Sequence, residues 1–118
     1  MIGRIVERTE WAAASITTGE WRGEFEGGAN GANISVIFVH TDKPGDGPRL
    51  HRHPYPETFI VRKGQAMFTV GVQRFVVRAG QIIVCPANTP HKFENLGPGL
   101  LEQVDIHKSG TFKTEWLE

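Results

Sequence analysis

The sequence predicts an all-β domain of the sandwich or barrel type. Glycine and proline are frequent, at 14 and 7 of 118 residues. They punctuate short runs rich in Val, Ile and Phe, and those runs recur at hairpin-length spacing, the pattern of many short strands joined by turns. Helix should be scarce. The length suits a single apolar core, so residues 1–118 are read as one domain.

The first thirty residues are the least legible. Trp11-Ala12-Ala13-Ala14-Ser15 suits a helical turn, whereas Glu20 to Glu26 alternates Trp21, Gly23 and Phe25 in the manner of an edge strand; neither assignment is decided by pattern. Asn30 to Asn33 follows Gly27-Gly28 and reads as a loop. From Asn33 to Thr41 the β-branched and aromatic run Ile34 to Val39 predicts a strand, closed by the turn-rich stretch Asp42 to Pro48. Arg49 to His53 and Thr58 to Arg62 follow as strands, the second ending at Lys63-Gly64. Ala66 to Val70 turns at Gly71 to Gln73 into Arg74 to Arg78, a hairpin. Beyond Ala79-Gly80 come the apolar strand Gln81 to Cys85, the turn Pro86 to Pro90, and the strands His91 to Asn95 and Leu100 to His107. Phe112 and Trp116, four apart, suit either one face of a short docking helix or an extended tail laid over the domain. The N-terminal strands of residues 1–40 and the tail of residues 108–118 are expected to pack on the core motifs of residues 45–95.

Composition excludes several classes of function. Thirteen Lys and Arg balance thirteen Asp and Glu with no like-charged run, which argues against a nucleic-acid surface or a membrane-binding face. Cys85 is the one cysteine, so no internal disulfide forms and a reducing cytoplasm suits the chain. Met1 to Glu10 carries Arg4, Glu7 and Arg8 and has neither the apolar stretch of a signal peptide nor a membrane span.

The chemistry concentrates in four residues. His51 and His53 are two apart on an expected strand, so both imidazoles leave one face and can share an ion. Glu57 follows Pro54-Tyr55-Pro56, a linker stiffened by two prolines that also push the residues before them into extended conformations. His91 enters a later strand after Asn88-Thr89-Pro90. Three imidazoles and a carboxylate suit iron, manganese, nickel, copper, cobalt or zinc better than calcium or magnesium. An octahedral ion so held keeps open positions for water, dioxygen or a chelating substrate. Taken singly, each histidine would be a surface residue and Glu57 a solvated carboxylate; it is their combination that predicts one divalent transition metal.

The same residues resemble the two signature motifs of the cupin superfamily. Gly45, His51, His53, Glu57 and Gly64 match the first at every fixed position; Gly80, Pro86, His91 and Asn95 match the second. Asn88 stands where the second motif usually has glycine, a mild departure because asparagine tolerates the left-handed conformation. The resemblance implies a jelly-roll β-barrel of six or more strands with the ligands facing its mouth, and homodimers formed by strand exchange or sheet packing. It resembles small single-domain bacterial members, and it narrows architecture more than reaction.

Period two from Glu57 places Phe59 and Val61 inside and Thr58, Ile60 and Arg62 outside; from His91 it places Phe93 and Asn95 inside. Phe68, Ile82 and Val84 are expected to complete an apolar wall, and Gln103 and His107 share one face of the last strand, either orienting a ligand or facing solvent. Tyr55 is a candidate proton or hydrogen-bond donor to substrate, or else a rim residue that only packs. Cys85, without a basic neighbour in sequence, reads as an inert buried thiol. The expected function is a metal-dependent enzyme acting on a small organic molecule, with oxidation by dioxygen first and isomerisation or decarboxylation next. The alternative is a non-catalytic module that uses its metal to hold a small ligand.

Overall fold

The computed structural model describes residues 3–13 and 18–118. Its strands are β1 (Gly23–Glu26), β2 (Ser35–Thr41), β3 (His51–Arg52), β4 (Glu57–Lys63), β5 (Gln65–Val70), β6 (Gln73–Arg78), β7 (Ile82–Cys85), β8 (His91–Asn95), β9 (Leu101–His107) and β10 (Glu115–Trp116). A one-turn helix, α1 (Arg8–Trp11), opens on a capping box between Glu7 and Glu10, and a 3₁₀ turn covers Gly27–Asn30. The helical turn thus ends at Trp11, where the sequence pattern would begin it; Ala14 and Ser15 lie outside the described residues. The tail is extended, and its β10 pairs with β3.

The strands form two antiparallel five-stranded sheets, ordered β1-β2-β9-β4-β7 and β10-β3-β8-β5-β6. Among the described residues each keeps two edge strands and no ladder joins one sheet to the other, so the expected jelly-roll barrel is corrected to an open two-sheet sandwich. Closure demands hydrogen-bonded neighbours at every edge; here the sheets are held by side chains meeting between them. Phe59, Val61, Cys85 and Leu101 from the first sheet meet Ala66, Phe68, Val70, Val77 and Phe93 from the second. Phe59 and Phe68 meet edge to face with ring centres 4.9 Å apart, and Phe93 lies 5.4 Å from Phe68.

The chain crosses between sheets at Gly64, where φ is +79° and a Cβ would lie 2.2 Å from the Leu100 carbonyl oxygen, so only glycine fits. β3 is shorter than the expected Arg49 to His53, because Pro48 and Pro54 flank it and have no N–H to add to a ladder. Asn95 is buried and explains its place in the motif: its amide donates to the Thr41, Lys43 and Gly99 carbonyls, and its oxygen accepts from Gly97 N–H. It ties together the two loops at that end of the sandwich.

Candidate metal centre

The four donors come from both layers. His51 and His91 are directly opposite one another on β3 and β8 in one sheet, with ring centres 4.4 Å apart. Glu57 opens β4 in the other sheet, where its cross-strand partners are Cys85 and His107. His53 follows β3 on the proline-stiffened linker. Its carbonyl accepts the Asn88 N–H at 2.7 Å, and Asn88 has φ +61°, so the asparagine supplies the left-handed turn that anchors the linker. All four side chains are buried, and one ligand atom of each lies within 4.8 Å of the others.

The protonation of the rings is set by the backbone. His51 Nδ1–H donates to the Arg49 carbonyl at 2.6 Å, His53 Nδ1–H to Lys113 at 2.9 Å and His91 Nδ1–H to Thr89 at 2.9 Å. A carbonyl can only accept, so each Nδ1 carries the proton and each Nε2 is turned inward, the arrangement in which an imidazole binds a metal. His53 Nε2 is buried without a hydrogen-bond partner although Glu57 Oε1 lies 3.1 Å away, an acceptor facing an acceptor. A cation between them would resolve that repulsion. The donor span is one that an ion with bonds of about 2.1 Å can bridge after slight tightening, so the residues present fit a divalent transition metal.

Burial lowers the His51 pKa to about 4, which keeps the ring neutral and free to ligate. Burial opposes the charged form of His91 too, but its contacts with Cys85, Glu57 and the Thr89 carbonyl prevail and raise it to about 10; in the metal-free protein it donates to Glu57 Oε1 at 3.1 Å. Glu57 is likewise opposed by burial, yet the neighbouring imidazoles, His107 first and His91 with it, hold its carboxyl below the ordinary range. This is a site that carries a proton until a metal replaces it.

A fifth side chain completes the cluster. His107 Nε2 lies 3.0 Å from Glu57 Oε2, and its Nδ1 is 2.7 Å from the Tyr55 hydroxyl, which accepts the Lys113 N–H at 3.3 Å. Tyr55 stacks on His53 with ring centres 5.0 Å apart and does not line the cavity; its hydroxyl faces His107. The sequence pattern left His107 undecided between ligand support and the rim.

The centre opens into a cavity of about 560 Å³, whose apolar wall includes Ile37, Val39, Phe59, Phe93, Phe112 and Trp116. The last two come from the tail, which the sequence did not connect with the site: Phe112 packs on His107 at 4.9 Å and Trp116 on His51 at 5.0 Å. Phe59 and Phe93 line the cavity, whereas Val61, Phe68 and Gln103 are buried behind its surface. Ile82 and Val84 are a correction: they are 62% and 60% exposed on the outer face of β7. Cross-strand partners share a face, and β4 pairs Phe59 with Ile83 and Glu57 with Cys85, so those two point inward instead. Asp105, also unanticipated, lines the cavity from β9; period two from His107 through Asp105 to Gln103 is the signal that could have found it.

Comparison with known proteins agrees with this architecture. The chain is 37% identical over 49 residues to Uncharacterized protein MJ1618 of Methanocaldococcus jannaschii, covering 41% of this chain and 39% of that one. It is 31% identical over 68 residues to Polyketide synthase CurC of Streptomyces cyaneus, covering 57% and 44%. Among solved structures, an oxalate oxidase in complex with the substrate analogue glycolate superimposes with TM-score 0.65 at 24% identity, covering 72% of this chain and 46% of that one. The oxalate decarboxylase of Bacillus subtilis gives TM-score 0.72 at 24% identity, covering 80% and 27%. These structural likenesses are of fold, and the chain spans less than half the length of each of these relatives. The model of the Cupin domain family matches residues 38–107, more than half of the chain, and the protein belongs to that family.

Proposed function

We propose that this protein is a metal-dependent cupin enzyme acting on a small organic molecule that chelates the ion, with oxidation by dioxygen the first reaction to test and decarboxylation or isomerisation next. The observation that carries it is the convergence of three backbone-oriented Nε2 atoms and the Glu57 carboxylate beside a cavity large enough for substrate, which His51, His53 and Glu57 line. The oxalate oxidase and decarboxylases among its structural relatives support the choice of organic acids among the first substrates to assay.

His51, His53 and His91 would hold the ion through Nε2 and Glu57 through a carboxylate oxygen. A bound divalent transition ion would supply Lewis acidity and, if redox-active, a path for electrons from a chelated substrate to dioxygen. The rest falls to the chain. His107, held by Tyr55 through Nδ1, stands 3.0 Å from the second oxygen of Glu57 and limits the space in which that carboxylate can swing. Phe59, Phe93, Phe112 and Trp116 exclude water from the ligand's apolar part and strengthen every polar contact beside the centre.

The outer face of the first sheet supports a homodimer. Two rows run across β2, β9, β4 and β7: Phe38, Val104, Ile60 and Ile82, then Val36, Ile106, Thr58 and Val84. Neither row carries a charge, and a chain of zero net charge does not repel its copy. The lone free cysteine, buried as Cys85, supports a reducing cytoplasmic setting. Among the described residues no helix is long and apolar enough to cross a membrane.

The test is metal analysis of protein purified without chelators, followed by reconstitution and assay of oxygen uptake and product formation with organic acids, enols and phenols. Stoichiometric metal with turnover is expected. Failure to take up metal after reconstitution would overturn the proposal, and tight ligand binding without any turnover would instead establish the binding-module alternative.

A further inference from the structure

Asp105 is 3% exposed, yet it lines the cavity, one interior step along β9 from His107 and between Ile37 and Phe59 of the flanking strands. That step is roughly 7 Å, so its carboxyl faces whatever lies beyond the metal-bound end of a ligand. Among the described residues its one hydrogen bond is from Gln103 Nε2 at 2.8 Å to Oδ1. Gln103, 1% exposed, has its own oxygen buried without a partner. Polar groups buried in an apolar wall are costly unless something completes their bonding. Among the described residues no side chain of the metal cluster hydrogen-bonds to this pair.

The charges around the cavity define what can complete it. Glu24, Asp46, Glu57 and Asp105 line it, against one arginine, Arg22, which is half-exposed and pairs with Glu20 at 3.4 Å. Among the described residues no lysine and no arginine besides Arg22 lines the cavity to receive a second carboxylate. A two-carbon dianion chelates an ion through both carboxylates, so it leaves the Asp105 carboxyl and the apolar wall beyond without a partner.

Building on the metal-dependent reading above, we propose that Asp105, oriented by Gln103, is a second recognition point that holds the uncharged distal group of a partly apolar chelator such as a phenol or enol, and that the cavity disfavours small dianions such as oxalate. Burial in this apolar wall disfavours the charged form of the Asp105 carboxyl and pushes it well above the usual carboxylate range, in keeping with a neutral donor. The cavity of about 560 Å³ and its aromatic wall suit a ring better than a two-carbon diacid.

The test uses full-length protein loaded with zinc, which supports no redox turnover, titrated with 4-nitrocatechol by its absorbance and with oxalate by competition. The wild type is expected to bind 4-nitrocatechol at least about tenfold more tightly than oxalate. D105L should weaken 4-nitrocatechol by about tenfold, the worth of one lost hydrogen bond, while D105N keeps a donor and stays within a few-fold. Both should retain stoichiometric zinc and unchanged oxalate binding. Tighter binding of oxalate in the wild type overturns the inference, whether or not D105L folds; so does 4-nitrocatechol affinity unchanged in D105L. Failure of the wild type to load zinc overturns the metal reading and this inference together, whereas loading with the wrong ligand preference overturns this one alone.

Discussion

His107 and Glu57 stand directly opposite each other on β9 and β4, with His107 Nε2 3.0 Å from Glu57 Oε2 and Tyr55 on its other nitrogen. The imidazole backs the carboxylate ligand from the sheet behind it. H107A is therefore expected to lower metal affinity by about ten- to a hundredfold without abolishing it. Y55F, which leaves the ring of His107 in place, should lower it less. Competition titration against a chelator measures both; identical affinities for wild type and H107A would show that the carboxylate needs no such support.

Metal uptake should release a proton. His91 is raised to about 10 and His51 is lowered to about 4, so between roughly pH 6 and 9 an incoming ion displaces the one proton on His91 Nε2. Apparent affinity should rise by about tenfold per pH unit across that range. A flat profile would mean that His91 is already neutral.

The same shifts set the stability of the metal-free protein. The raised His91 contributes stability that is full below its unfolded value of 6.5 and is lost as pH rises through about 10. The lowered His51 contributes stability that is present above 6.5 and is lost as pH falls toward 4, and Glu57 adds to the acid loss once pH drops below 4.5. Melting temperature should peak near pH 6.5. With metal bound the alkaline decline should vanish, because the proton whose loss causes it has already gone; scanning calorimetry of both forms across this range decides it.

Phe68 is fully buried and packs on Phe59 and Phe93 without lining the cavity. F68A should cost about 3–5 kcal/mol by urea denaturation. Below the unfolding transition its metal affinity should match that of the wild type. A loss of affinity with little loss of stability would mean that the ring holds the centre and not the core.

Ile82 and Val84, exposed at the edge of two charge-free rows, test the proposed homodimer. I82D together with V84K should convert a dimer to a monomer in sedimentation equilibrium, with the melting temperature of each chain at high dilution little changed. A dimer that survives both substitutions uses another face.

Much of the site was legible in the sequence because its information is local. Alternation along a strand puts His51 and His53 on one side, prolines stiffen the approach to Glu57, and Asn88 marks a left-handed turn by its chemistry alone. Period two likewise places Phe59, Val61 and Phe93. What tertiary structure decided is everything that depends on pairing between distant segments. Whether the strands close into a barrel or remain two sheets depends on which edges meet, and strand residues carry no record of that. The inward face of β7 follows from its register against β4, so a one-residue shift exchanges Ile82 and Val84 for Ile83 and Cys85. The tail that brings Phe112, Thr114 and Trp116 to the cavity, and the β9 row that brings Asp105 and His107 to it, are distant from the histidine doublet in sequence and near it only because the two layers stack. Residue chemistry and local spacing named the ligands, but only the folded pairing of remote strands determined what surrounds them.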